Sequence, residues 1–299
     1  MKKYILLFSL LAFSILSKAN FAQISQITTT EGLSSQNVSI MEKDKYGRLW
    51  VGSSIGLDIF NNGSLTNLHT IEVEGTSILT GQIKSIACGD RTLIASKSTV
   101  IDYDYDKKEA EIIKYQGADI TTEHILMNDS CAYFYDNTKN ILFKYMMKEK
   151  ELKVVCELPE EKDFRFLKLL AIDGSEKILL LAENERGIFR LHLENGAIFN
   201  INAIGRNINA KSTFIDSDFN LWVQSEEGLN VYEIHSGYNK THLFTSDNSL
   251  LPDLPINCME EITNNKEVMI CTKGGGVFIA NKQENRIRNT NITKDDCFN

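Results

Sequence analysis

Residues 37–62 read NVSIMEKDKYGRLWVGSSIGLDIFNN and residues 209–234 read NAKSTFIDSDFNLWVQSEEGLNVYEI. The two stretches superpose over 26 positions without a gap. Asn37 falls on Asn209, Asp44 on Asp216, Leu49-Trp50-Val51 on Leu221-Trp222-Val223, and Gly56-Leu57 on Gly228-Leu229. Self-similarity at this level marks a repeat architecture and decides how every other motif is read. Within each copy three short apolar runs are split by Asp, Gly or Asn turns, so each run has the length and the boundaries of a β-strand.

Weaker copies fill the interval and continue past it. The second occupies residues 83–86, 92–96 and 100–103; the third 124–126, 132–135 and 141–145; the fourth 166–172, 177–182 and 187–191; the sixth 256–262, 267–272 and 275–279. The positions equivalent to Trp50 are then 94, 134, 179, 222 and 269, a spacing of roughly 44 residues, which belongs to propeller blades and not to the shorter helical repeats. A fourth apolar run follows each triplet, at 65–71, 110–115, 152–158, 197–202 and 238–244, and four strands per repeat make one blade. The glycine that opens the third strand, Gly56 or Gly228, is read as a point of close backbone approach. No amphipathic helix is predicted. The fold class is all-β: a β-propeller of four-stranded blades, six of them present.

Composition limits the remaining choices. The chain has 299 residues, 42% of them hydrophobic, with 32 Lys+Arg against 40 Asp+Glu, which excludes a disordered chain, a collagen and a disulfide-stapled miniprotein. Met1-Lys2-Lys3 is a short basic start, residues 4–16 are almost unbroken in their apolarity, and Ser17-Lys18-Ala19 supplies small residues at cleavage spacing. Residues 1–22 therefore read as a secretory signal peptide, cut after Ala19 or after Ala22, and residues 23–299 as the propeller. Removing the signal takes away three lysines and leaves a formal charge of −11. Such a chain repels phosphate backbones, which argues against nucleic acid as a partner. After residue 23 no apolar stretch approaches the ~20 residues of a membrane span. The expected location is the periplasm.

Residues 44–60, DKYGRLWVGSSIGLDIF, resemble the two-component regulator propeller repeat, and the preceding TTEGLSSQNV at 29–38 is similar to that family's usual opening. The resemblance covers about residues 24–299. It implies the periplasmic sensor half of a hybrid two-component system, of the kind that carbohydrate-degrading Gram-negative bacteria use to detect glycan fragments. In that family a seven-bladed propeller is followed by a second propeller, a β-sandwich, a membrane helix, a histidine kinase and a response regulator. Here six repeats are present, residues 289–299 read like the lead-in to a seventh, and none of the signalling parts is expected. Closure of a propeller pairs an N-terminal strand, here 24–28, with the last blade and so removes exposed sheet edges. Either six blades close on themselves, or an open ring persists that self-associates through its blade edges or takes a protein partner. The open ring is favoured, because residues 284–291 already supply a fourth strand to the sixth blade.

Other constellations favour their plainer readings. Asp216-Ser-Asp218-Phe-Asn220 begins like a calcium loop but lacks its glycine, and it superposes on the turn Asp44-Lys-Tyr-Gly47. The six cysteines, at 88, 131, 156, 258, 271 and 297, show no Cys-x-x-Cys and no nearby His for zinc. If Asn264-Asn265 is a two-residue hairpin turn, Cys258 and Cys271 face each other across adjacent strands, as a disulfide or as two thiols acting as small hydrophobes. The five histidines are scattered, and there is no Gly-x-Ser-x-Gly. Lys273-Gly274-Gly275-Gly276 precedes a strand and lacks the order of a phosphate loop. Trp50 and Trp222 belong to buried strands, whereas Tyr46, Phe219 and Tyr238 are the aromatics with a chance of facing a sugar ring. No residue is assigned to catalysis, metal or cofactor, and the ligand residues stay unassigned. The expected function is a non-catalytic periplasmic sensor propeller with an oligosaccharide ligand. Two alternatives stand beside it: a periplasmic propeller lyase or glycosidase, and a truncated product without independent function.

Overall fold

In a computed structural model the structure describes residues 27–128, 130–158, 165–166, 168–172, 177–262 and 267–290. The signal segment, the Asn264-Asn265 turn and residues 291–299 lie outside them. Blade 1 is built from β1 (Val38–Lys43), β2 (Leu49–Ser53), β3 (Leu57–Asn61) and β4 (Ser64–Leu68), and a separate hairpin follows, β5 (Thr70–Val73) with β6 (Thr76–Leu79). Blade 2 comprises β7 (Ile83–Cys88), β8 (Thr92–Ser96), β9 (Val100–Asp104) and β10 (Glu109–Tyr115), with the two-residue β11 (Ala118–Asp119) on its outer edge. Blade 3 has β12 (Ile125–Met127), β13 (Cys131–Asp136), β14 (Ile141–Met146) and β15 (Glu151–Glu157); blade 4 has β16 (Lys168–Ile172), β17 (Ile178–Glu183), β18 (Gly187–His192) and β19 (Ile198–Asn200). Blade 5 is β20 (Ile208–Ile215), β21 (Asn220–Ser225), β22 (Gly228–Glu233) and β23 (Asn239–Phe244), and blade 6 is β24 (Ile256–Ile262), β25 (Glu267–Thr272), β26 (Gly276–Asn281) and β27 (Arg286–Asn289). Each blade is an antiparallel meander in chain order, as the repeat predicts. The hairpin at 70–79 was not foreseen; it splits what reads as one outer run.

The first strands form the inner ring. β1 packs on β7, β7 on β12, β12 on β16, β16 on β20 and β20 on β24. Polar side chains stitch these neighbours together: Ser39 Oγ donates to the Ile83 carbonyl at 2.8 Å, Ser85 Oγ accepts from the Ile125 amide at 3.0 Å, and Ser212 Oγ donates to the Ile256 carbonyl. The first and last of these join residues 44 apart, so the sequence period is written directly into the bonds.

Apolar packing follows the same order. Five cores lie between consecutive blades: Trp50 and Leu57 of blade 1 meet Ile86, Ile94 and Ile101 of blade 2; Leu93 and Val100 meet Phe134 and Phe143; Tyr133 and Leu142 meet Leu179 and Leu181; Leu180 and Ile188 meet Leu221 and Val223; Trp222 and Val231 meet Val268 and Ile270. This corrects the equivalences at three positions. Trp50 and Trp222 both face the next blade, and in blades 2, 3 and 4 that role falls to Leu93, Tyr133 and Leu180, while Ile94, Phe134 and Leu179 face the preceding blade. A strand has period 2, so an error of one residue exchanges its faces. Turn length varies between blades and the weaker copies carry no tryptophan to fix the register.

Among the described residues no sixth core joins blade 6 to blade 1, and β24 makes no packing with β1 like that between the other inner strands. The segment before β1 covers part of the free face of blade 1 instead. Asp58, fully buried, accepts from the Ser34 amide at 3.0 Å, from the Ser34 hydroxyl and from the Asn67 amide group, and the Asn67 amide group also donates to the Gly32 carbonyl at 3.0 Å. Thr28 and Glu31 close a capping box around a short 3-10 turn at Thr29–Glu31. Of the closing strand expected at 24–28, residues 24–26 lie outside the described residues, and Ile27 and Thr28 are not in a strand.

Buried carboxylates tie the blades further. Asp44 accepts from the Trp50 indole N–H at 3.0 Å and from Arg48, whose guanidinium also reaches Asp106 of blade 2 at 3.0 Å. Burial by itself would raise the Asp44 carboxyl, but the hydrogen bonds from Trp50, Arg48 and the turn amides outweigh it and hold the group below the ordinary carboxylate range. Asp216 repeats the arrangement with the Trp222 indole N–H at 2.8 Å, and adds Lys282 of blade 6 at 2.7 Å. The cation that a calcium loop would hold is therefore replaced by an ammonium group. Gly228 is required as read: its φ is 127° and a Cβ there would stand 2.5 Å from the Phe244 carbonyl oxygen.

Asp216→Ala leaves the Trp222 N–H unpaired and removes one of the two carboxylates facing Lys282. It should lower unfolding stability by about 2–3 kcal/mol, less than for a fully isolated buried pair because Asp218 remains 2.9 Å from Lys282. Urea unfolding of the variant checks this, and Asp216→Ala combined with Lys282→Met should recover part of the loss.

Candidate functional site

Two turn sets meet at one end of blades 4, 5 and 6: the β17–β18 and β21–β22 turns, and the connections that lead into β20 and β24. They enclose a cleft of about 660 Å³ whose polar lining includes Asn184, Glu185, Asn207, Asn209, Gln224, Glu226 and Asp253, with Ile208, Leu254 and Pro255 as its apolar part. Gln224 organises it. Its side-chain nitrogen donates to the Leu254 carbonyl at 2.8 Å and its side-chain oxygen accepts from the Ile256 amide at 2.8 Å, so the connection into blade 6 is clamped from both ends. Asn184 Oδ1 accepts from the Ala210 amide at 3.4 Å, and the Glu185 amide donates to the Ile208 carbonyl at 3.0 Å, which fixes the other wall. The resulting surface is amide-rich, with three exposed carboxylates. Amide groups that both donate and accept suit a polyhydroxylated, uncharged ligand.

The aromatic candidates from the sequence are elsewhere. Tyr46 is 62% exposed, but it sits on the β1–β2 turn at the opposite end of its blade, under Arg48. Phe219 lies against His235, and Tyr238 packs into the core between blades 4 and 5. None of the three lines the cleft. Lys273-Gly274-Gly275 is the β25–β26 turn and Gly276 opens β26, and Gly275 is hemmed in by Pro252 and Leu254. Cys258 and Cys271 are cross-strand partners as expected, both free, with Cys258 exposed and Cys271 half-buried.

Gln224 was missed, although the repeat contains a signal for it. In the superposition it falls on Gly52, so Leu-Trp-Val-Gly of the first copy becomes Leu-Trp-Val-Gln in the fifth. At Gly52 a Cβ would lie 2.6 Å from Ile83, the first residue of the next inner strand. Blade 5 puts an amide side chain into the corresponding junction and bonds it to Ile256.

A second group of polar residues lies on the inner strands and on the segment that leads into β12. Burial, reinforced by the nearby charge of Glu260, pushes the Glu42 carboxyl up to about 7. Burial brings the Lys168 ammonium down to about 8 and the His124 imidazole down to about 3, the latter helped by Lys168. Lys84 pairs with Glu123 at 3.2 Å. Glu42 belongs to blade 1 and Glu260 to blade 6, so the two ends of the blade series face each other electrostatically across the inner ring.

Residues 32–54 match the family model described as two component regulator propeller. That match covers the Ser34 segment, the Asp44 turn and β2. The fold is similar to the extracellular domain of a putative hybrid two component system from B. thetaiotaomicron, with a TM-score of 0.68 and 16% identity over 89% of this chain and 36% of that one. It is also similar to the extracellular domain of a putative one component system from the same organism, with a TM-score of 0.64 and 16% identity over 90% of this chain and 35% of that one. Virginiamycin B lyase from Staphylococcus aureus shares the fold with a TM-score of 0.60 and 12% identity, over 84% of this chain and 83% of that one. The chain thus spans about a third of the length of the two sensor structures. No curated protein matches it in sequence. At these identities the likeness shows the fold. Among the described residues no helix is long and apolar enough to cross a membrane.

The Glu42 environment has a measurable consequence. The unfolded chain releases this proton near pH 4.5 and the folded chain only near pH 7, so between those values the folded state binds more protons and its stability falls as pH rises. Glu42→Gln should leave stability at pH 4.5 nearly unchanged and raise it at pH 7.5 by about 1–2 kcal/mol, a figure reduced for partial solvent exposure. Denaturant unfolding at the two pH values tests the sign.

Proposed function

We propose that this chain is a non-catalytic sensory propeller, exported to the periplasm, that binds an oligosaccharide in the cleft across blades 4 to 6. The observation that carries the reading is the cleft itself: amide side chains held by backbone hydrogen bonds, beside carboxylates that are solvent-exposed and so lack the burial that prepares a general acid. The family match at 32–54 and the likeness to two extracellular domains of regulatory systems support the sensor role. The basic start and apolar run of residues 1–22 support export, and the chain's acidic charge supports a partner other than nucleic acid. A ligand spanning three blades would act by favouring one relation of those blades over another, which requires different affinities for the two states.

A second reading, a propeller lyase or glycosidase, draws on one observation. Glu42 is a carboxyl raised to about 7, the nearby Glu260 is raised too by burial, and a carboxyl that keeps its proton toward neutral pH is one of the two that glycoside cleavage needs.

Calorimetric titration with oligosaccharides from plant and host polysaccharides, followed by chromatography of the ligand, separates the two. The sensor reading expects saturable binding, oligosaccharides recovered intact, and affinity at least about tenfold weaker in Asn207→Ala combined with Glu226→Ala, as the loss of one or two hydrogen bonds implies. Cleavage abolished by Glu42→Gln would establish the enzyme instead.

A further inference from the structure

Cys258 on inner strand β24 and Cys271 on β25 are direct cross-strand partners, and the two thiols hydrogen-bond to each other. Cross-strand partners place their Cβ atoms about 4.5–5.5 Å apart, close to the span of a disulfide, so a small adjustment of the two strands closes the bond. Val268 and Ile270 of β25 point into the core shared with blade 5, so the alternate residues Met269 and Cys271 take the other face. Among the described residues no apolar core covers that face, and Cys258 is exposed. The remaining described thiols differ. Cys131 is fully buried between blades 3 and 4, and burial pushes Cys88 up to about 12 and Cys156 up to about 11. Cys258 is shifted the other way: the hydrogen bond from Cys271 and, more weakly, the Lys168 charge hold its thiol below the ordinary range, while Cys271 is pushed up by the same hydrogen bond and by burial.

We propose that Cys258 and Cys271 are a redox-convertible pair, closing a cross-strand disulfide by exchange with an oxidised dithiol protein or a small-molecule disulfide. The Cys258 thiolate attacks one sulfur of the oxidant, forming a mixed disulfide and releasing the other sulfur as a thiolate that takes up a proton. The Cys271 sulfur, losing its own proton, then displaces the second oxidant sulfur. Two protein thiols are oxidised and one external disulfide is reduced to two thiols. Cys258 is the attacking sulfur because it is the exposed one, and Cys271 is the resolving one. The bond staples the inner hairpin of blade 6, which has a described neighbour on one face only. The proposal is independent of what the cleft binds.

Oxidised glutathione is incubated with the purified full chain, free thiols are then alkylated, and the protein is cut with trypsin. Cleavage after Lys266 separates the two cysteines, so the disulfide appears as peptide 241–266 joined to peptide 267–273. That joined species is expected to be the main product, with the melting temperature raised by roughly 4–8 °C. Cys271→Ser should stop the reaction at a glutathione adduct on Cys258, and Cys258→Ser should leave Cys271 as a free thiol. Full alkylation of both cysteines after oxidation, a cross-link from either one to Cys297, or faster adduct formation at Cys271 than at Cys258 would overturn the proposal.

Discussion

A four-stranded antiparallel blade has two apolar faces and cannot bury either one alone. The six blades of this chain solve that by sharing: each core is built half from one blade and half from the next, so five cores connect six blades. Burying an aromatic or aliphatic side chain contributes about 1.5–3 kcal/mol, and Trp50, Trp222, Phe134 and Phe143 are all placed at these shared faces. Stability is therefore a property of neighbours. Among the described residues an interior blade is held on two sides, whereas blades 1 and 6 have one shared core each.

Electrostatics repeats this logic at smaller scale. Asp44, Asp102 and Asp216 are buried carboxylates: Asp102 accepts from the Tyr145 hydroxyl of the next blade at 2.8 Å and Asp216 from Lys282 of the next blade, while Asp44 is satisfied within blade 1 and its partner Arg48 carries the tie on to Asp106 of blade 2. Such ties add direction to the non-directional apolar contact, because a slipped blade would leave a charge buried and unpaired. The cleft arises from the same junctions. Where Gly52 lets blade 2 press close to blade 1, Gln224 inserts an amide between blades 5 and 6, and one substitution in the repeat turns a packing position into a clamp for the wall of the cleft.

Much of this was legible in the sequence, for a physical reason. Trp50 and Trp222 share the same carboxylate partner six residues earlier, so those two copies keep their spacing and announce the blade. In blades 2 to 4 the same face is filled by Leu93, Tyr133 and Leu180, which any apolar residue resembles, and alternation alone cannot distinguish the two faces of a strand buried on both. The hairpin at 70–79 has a turn signal of its own, Glu74-Gly75 with both residues at positive φ, but it falls beyond the run read as 65–71. The cleft was less legible than the fold. Its residues lie at the ends of strands from three blades, and only the replacement of Gly52 by Gln224 in the aligned copies marks the place.

The protection of a blade depends on how many of its faces are covered. Hydrogen exchange followed by mass spectrometry reads this directly, since amides open with free energies set by local packing. Middle strands β8, β13, β17 and β21 should exchange most slowly, and β2 and β25, in blades with one shared core, at least tenfold faster. Equal protection in all six blades would mean that blade 6 is buried against blade 1, and would contradict the serial arrangement described above.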